Sequence, residues 1–156
     1  MGSRKKILIS VIGGHKADKK TAKLAYDAGK MIAELNAVLV CGGLGGVMEA
    51  AASGAKDAGG LTVGILPGKS KQDANPYIDI PIATGLGYTR NTLVAGASDL
   101  VIAFAGKEGT LSEIGFALSE KKPIVGLNTW DIPGIVKAKS VKDVQKKIVK
   151  ILGLKV

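Results

Sequence analysis

Three apolar runs in this chain end on glycines. Ile7–Ile12 runs into Gly13-Gly14, Ala37–Cys41 into Gly42-Gly43-Leu44-Gly45-Gly46, and Leu100–Ala105 into the segment Gly106–Gly109. Nearly continuous apolar runs of this length suit strands of a parallel sheet covered on both faces. Segments of helical period separate them. Asp18 is placed to cap a helix over Lys19–Leu35, where Ala22, Ala25, Ala28, Ile32 and Leu35 recur near 3.6 residues, although Gly29 weakens that helix. An alanine-rich helix should follow Gly46 as far as Ala58, then a third strand over Leu61–Leu66. Asn75–Thr84 is irregular, with a short strand over Tyr77–Ile80 before Pro81. Tyr88–Ala97 reads as a helix, as does the segment after Thr110 to about Lys122; Pro123–Leu127 reads as the last strand. Ser140–Leu152 closes the chain as a helix with Val141, Val144, Ile148 and Ile151/Leu152 on one face. Single helices between such strands imply an α/β fold: a doubly wound, mostly parallel sheet in a Rossmann-like three-layer sandwich. Residues 1–156 show no linker or repeat and are expected to form one domain. The glycine turns all follow strands, so they should share the edge where ligands bind in such sheets.

Composition narrows the function. No apolar run reaches the roughly 18–20 residues of a membrane span. The basic start, Met1 to Lys6, is not followed by a signal-peptide apolar region with its cleavage site, since Val11 leads into Gly13-Gly14 and a polar segment, and Lys6 breaks the myristoylation pattern. A cytoplasmic protein without a membrane partner is expected. The single cysteine, Cys41, cannot form an internal disulfide and reads as a core residue. His15 is the only histidine, and no Cys/His cluster has metal-ligand spacing, so no metal site is expected. The net charge is +9, but Lys137–Val156 holds seven lysines and one aspartate, which leaves only +3 for the rest. Arginine and aromatics, which base readout and stacking require, are scarce; the basic end reads as a solvated face and not as a nucleic-acid surface.

Gly106–Glu113 (GKEGTLSE) carries the most chemistry. A strand that ends in glycines and opens a helix presents unpaired N–H groups and a positive dipole end to an anion. Glu113 lies one turn into that helix. The same residues also fit a capping box, Thr110 with Glu113, which would explain the glutamate without chemistry. Gly42–Gly46 either lets backbone approach an anion or makes a tight turn. It is not a dinucleotide fingerprint: counting from Gly43, Met48 stands where the third glycine belongs, and the next strand runs into Pro67 with no acidic residue. Gly64–Ser70 imitates a phosphate-binding P-loop but is one residue short and leads into a loop composition. Arg90 is one of two arginines beside 20 lysines. Its planar fork suits a carboxylate or phosphate on a ligand, or a structural partner such as Asp99 or Glu113.

Gly42–Met48, Gly85–Asn91 (GLGYTRN) and Gly109–Glu113 stand in the order and spacing of the LOG-like Rossmann family, formerly labelled as lysine decarboxylases. The chain resembles that family over about residues 7–128. The family includes cytokinin riboside 5'-monophosphate phosphoribohydrolases and a subgroup, more similar to this chain, of molybdenum cofactor carrier proteins. Nothing in the sequence supports decarboxylase chemistry. The resemblance implies a Rossmann-like sandwich and a homo-oligomer. Hydrolase members carry Pro-Gly-Gly-x-Gly-Thr-x-x-Glu and an Arg-Lys pair; Gly106, Gly109, Thr110, Glu113 and Arg90 match these. Ala105, Lys107 and Asn91 depart from them.

The expectation is a binding or carrier protein for a small phosphorylated ligand, nucleotide- or pterin-like, with molybdenum cofactor as the cargo implied and no cofactor required. The alternative is a phosphoribohydrolase cleaving the N-glycosidic bond of nucleoside 5'-monophosphates. The expected binding set is Gly13, Gly14, Gly42, Gly43, Gly45, Gly46, Arg90, Asn91, Gly106, Lys107, Gly109 and Thr110. Arg90 and Glu113 would be catalytic only in a hydrolase.

Overall fold

The computed structural model describes residues 2 and 4–155. In chain order the elements are β1 (Leu8–Ile12), α1 (Lys19–Glu34), β2 (Val38–Cys41), α2 (Val47–Asp57), β3 (Thr62–Leu66), β4 (Ile80–Ala83), α3 (Arg90–Gly96), β5 (Leu100–Ala103), α4 (Glu108–Ser119), β6 (Ile124–Leu127), β7 (Val136–Ala138) and α5 (Val141–Leu152). Short 3-10 turns occupy Lys71–Asp73 and Gly87–Thr89, so the helix expected over Tyr88–Ala97 is a 3-10 turn followed by the shorter α3.

The strands form one seven-stranded sheet in the order β4-β3-β2-β1-β5-β6-β7, and every pairing in it is parallel. From β1 the chain moves outward through β2, β3 and β4, then returns to place β5 against the other side of β1. The gap beyond the carboxyl ends of β1 and β5 is therefore the topological switch point, where ligands bind in open α/β sheets. On one face of the sheet, α1, α2 and α5 bury Ala28, Ile32, Val47, Ala51, Val144 and Ile148 against Ile9, Val11, Leu39 and Ile102. On the other, α3 and α4 bury Val94, Ala95, Ile114 and Ala117 against Val40, Val101 and Ile124. This is the doubly wound α/β architecture.

Local signals place several of these elements. Asp18 caps α1 as expected, its carboxylate accepting from Thr21 N at 2.7 Å. Ser140 caps α5 in the same way, accepting from Asp143 N at 3.1 Å. Gly29 has a packing reason to stand inside α1: a Cβ there would run into the carbonyl of Ala51 on α2, and one at Gly54 into that of Tyr26 on α1. The two helices cross at backbone contact, which only glycine allows.

Two strands differ from expectation. The expected Tyr77–Ile80 strand is instead β4, Ile80–Ala83, with Pro81 inside it. Proline is tolerated there because β4 is an edge strand, with one side free of ladder hydrogen bonds. Pro123–Leu127 is not the last strand either: β7 pairs with β6 at the opposite edge, Gly126 opposite Lys137.

Candidate functional site

The three glycine turns meet at the switch point. Gly14 N donates to the Ala105 carbonyl at 2.9 Å, and Val47 N donates to the Gly14 carbonyl at 3.0 Å, so the turn after β1 is pinned between those after β5 and β2. Gly46 has φ +65, and a Cβ on it would run into the Gly14 carbonyl and the backbone of His15. At Gly13 a Cβ would stand 2.7 Å from Val47 Cγ1; at Gly106 it would stand 2.7 Å from Thr110 Cβ and 2.9 Å from Gly14 N. Glycine is thus demanded by backbone approach at Gly46, by the Val47 side chain at Gly13, and by both Thr110 and the Gly14 backbone at Gly106. Gly43 is tied down as well, its carbonyl accepting from Asn75 N at 2.9 Å.

Helix α4 opens at Glu108, with Lys107 in the capping position and no side-chain cap. Its first backbone hydrogen bond from within the helix runs from Leu111 N to the Lys107 carbonyl, at 3.0 Å. Among the described residues the amides of Glu108, Gly109 and Thr110 have no protein acceptor, so they face the crevice as a row of open donors. The capping box is corrected by this start. Thr110 is the third helical residue and not the cap, so Glu113 cannot be its reciprocal partner. The Gly106–Gly109 turn ends two residues earlier than the glycines suggest, because Gly109 sits inside the helix.

Glu113 is instead buried, 7% exposed, beneath that first turn. Burial pushes its carboxyl up from 4.5 to about 8, against the opposing pull of Arg90. Arg90 is 8% exposed. Its guanidinium packs on the β2 turn, where Nη2 donates to the Gly42 carbonyl at 3.5 Å and Nη1 donates to Asn91 Oδ1. Nε is buried with no hydrogen-bond partner. Burial lowers the guanidinium's pKa, and Glu113 is the largest influence raising it. The two share an electrostatic field without forming a direct ion pair; the ion pairs of the described residues lie elsewhere. Asp99 is excluded as Arg90's partner, since it accepts from Leu8 N at the far end of β1. Asn91 is buried, and its amide reaches Gly109 O at 3.5 Å and Ser112 Oγ at 3.4 Å, linking Arg90 to the first turn of α4.

Arg90, Asn91, Thr110 and Glu113 are therefore buried at the glycine turns, and Lys107 is exposed beside them. Cys41 lies deeper, fully buried, its thiol pushed up to about 12 by desolvation. Among the described residues no group of three His, Cys, Asp or Glu could hold a metal ion, and no helix is long and apolar enough to cross a membrane. One residue at this edge escaped the sequence reading: His15, exposed directly after Gly13-Gly14. Its only signal was that position, a lone histidine following the glycines of the first strand.

Similar proteins share this architecture. The molybdenum cofactor binding protein of Rippkaea orientalis superposes with a TM-score of 0.91 at 39% identity, covering 96% of this chain and 99% of that one. The molybdenum cofactor carrier protein of Chlamydomonas reinhardtii gives 0.88 at 34% identity, covering 96% and 100%. By sequence, the chain is 50% identical over 119 residues to an uncharacterised protein of Archaeoglobus fulgidus, an alignment spanning 76% of this chain and 78% of that one. It is 35% identical over 118 residues to the cytokinin riboside 5'-monophosphate phosphoribohydrolase of Mycobacterium tuberculosis, spanning 69% of this chain and 63% of the enzyme. The SLOG cluster4 family matches residues 6–152, nearly the whole chain. With its LOG-like motifs, its parallel sheet and these relatives, the chain belongs to the SLOG cluster4 family.

Proposed function

We propose that this protein binds and carries a small phosphorylated ligand, nucleotide- or pterin-like, with molybdenum cofactor as its cargo. The observation that carries this reading is the uncapped start of α4 at the switch point. Three open amides and a helix dipole make a phosphate site, and glycine walls let the phosphate come close. Thr110, Lys107 and Arg90 assist from the floor and rim. The carrier and cofactor-binding proteins that superpose over nearly the whole chain support the same reading.

The hydrolase reading has one specific support, the 35% identity to a phosphoribohydrolase. Cleavage of an N-glycosidic bond builds positive charge on the ribose, which an ionised carboxylate stabilises. Glu113 suits that role poorly. With its carboxyl pushed up to about 8 it is mostly protonated at neutral pH, and a neutral acid offers little to a cation. Lys107 replaces a glycine of the hydrolase motif at the same turn. Both features favour carrying over cleavage.

The protein is further proposed to be a cytoplasmic homo-oligomer. α3 and the edge strand β4 border a groove of about 670 Å³ lined by Ile65, Ile82, Leu93 and Phe116, with Ile82 and Leu93 exposed. A second copy would cover this apolar surface.

Mass spectrometry of protein purified under native conditions tests the carrier reading; a phosphorylated pterin or nucleotide should co-purify. Incubation with AMP should release no adenine. Adenine release that disappears in Glu113→Gln would replace the carrier with the hydrolase.

A further inference from the structure

The two walls of the crevice are unequal. On the β5 side, α4 offers the three amides of Glu108, Gly109 and Thr110. On the β2 side the first amide of α2, Val47 N, is already taken by the Gly14 carbonyl at 3.0 Å. A phosphate held by α4 thus faces an opposite wall whose leading backbone donor is taken, and a side chain there adds to what the remaining amides of α2 offer.

His15 occupies that place. Its backbone lies between the walls: Gly14 N is bonded to Ala105 on one side, and on the other Gly46 comes so near that a Cβ there would collide with the His15 carbonyl. Its ring lies over the β2 turn, where a Cβ on Gly45 would stand 3.4 Å from both Cε1 and Nδ1. The residue is exposed, and among the described residues its ring nitrogens have no hydrogen-bond partner. The nearby cations, Lys16 and Lys107, are also exposed, and both sit on flexible stems. The carboxylate of Asp18 is spent on Thr21 N, and those of Glu49 and Glu108 belong to the first turns of α2 and α4. His15 is the side-chain donor whose ring lies against this wall at Gly45.

We propose that His15 contacts the ligand directly, its imidazole N–H donating to the phosphate from the β2 side while the α4 amides hold it from the β5 side. The proposal rests on the reading that the crevice binds a phosphorylated ligand. It adds a residue outside the glycine, Arg and Glu pattern shared with the hydrolase motif.

The chain's single histidine makes the test direct. In untagged full-length protein, the ring protons of His15 give one set of proton NMR signals, followed while AMP, inorganic phosphate or adenosine is added. AMP and phosphate should shift those signals and adenosine should not. By calorimetry, His15→Ala should weaken AMP binding by about tenfold, the size of a hydrogen bond to a charged group, whereas His15→Gln keeps a donor and most of the affinity. AMP binding that leaves the ring signals and the His15→Ala affinity unchanged overturns the proposal and leaves the phosphate-binding reading standing. Equal shifts with adenosine and AMP overturn it too, placing His15 on the base. If neither AMP nor phosphate binds and no phosphorylated ligand co-purifies, the underlying reading fails and the proposal falls with it.

Discussion

The guanidinium of Arg90 rests on Gly42, so closely that a Cβ at position 42 would stand 2.7 Å from Nη2. The arginine from α3 and the glycine turn after β2 are therefore one packing unit. Gly42→Ala should push the guanidinium aside and cost about 1–3 kcal/mol, the usual penalty for overpacking. A Cβ there would also stand 2.7 Å from Met48 Sδ, so in an Arg90→Ala background the same change should cost less without becoming neutral. Urea unfolding of the two single variants and the double variant measures the coupling; additive effects would show that the contact is not what position 42 responds to.

Glu113 should give stability a pH slope. Its carboxyl titrates at about 8 when folded, against 4.5 ordinarily, because burial disfavours the charge. Between those values the folded protein holds a proton that the unfolded chain has released. Glu113's contribution to stability is therefore largest below about pH 4.5, falls as pH rises through this window, and levels off above about pH 8. Glu113→Gln has no such proton, so its advantage over the wild type should grow with pH. Urea midpoints that run parallel from pH 5 to pH 9 would refute this.

The open amides of α4 can be removed one at a time. Lys107 has φ −115 and ψ −154, an extended conformation that accepts a following proline, and Glu108 is the first helical residue, where proline is well tolerated. Glu108→Pro should keep the fold and delete one N–H from the proposed phosphate site. AMP affinity should fall by about tenfold relative to Glu108→Ala, which controls for the lost charge. Equal affinities by calorimetry would move the phosphate away from the α4 start.

Cys41 should be inert. Its thiol is fully buried and pushed up to about 12, so almost no thiolate exists at neutral pH. A disulfide reagent should label it only as fast as the protein unfolds. Rapid labelling of the native protein would mean that the β2 turn opens.

The groove beside β4 predicts assembly. Ile82→Lys and Leu93→Glu each place a charge on an exposed apolar lining residue, and each should shift the protein to monomer in light scattering while leaving the fold intact. A wild type already monomeric at high concentration would dispose of the oligomer.

The sheet was legible in the sequence because the central strands are apolar on nearly every residue and their glycine turns follow directly. The edges were not. Pro81 reads as a strand breaker and is tolerated only because β4 has a free side. β7 is three residues with two exposed, too short and too polar to leave a pattern. At the site, Thr110 and Glu113 carried the spacing of a capping box, but the cap depends on where the helix begins. The contact of Gly106 with Gly14 and Thr110 sets that start, and it joins residues far apart in sequence. Arg90 stood out by its rarity, whereas the position of its head against Gly42 is a tertiary fact. His15 had no pattern around it at all.

The crossing of α1 and α2 at Gly29 and Gly54 reaches beyond those helices. α1 leaves from the loop that carries His15, and α2 leaves from the Gly42–Gly46 turn, so a clasp in the middle of the helices fixes how far apart the two loops stand. The crevice is thereby preorganised, and a ligand entering it pays little to order these walls. The same rigidity limits how this scaffold can change what it holds. On the proposed phosphate-binding role, new specificity would have to come from the loops after β3 and β4, which the clasp does not hold, while the end set by the helices stays fixed.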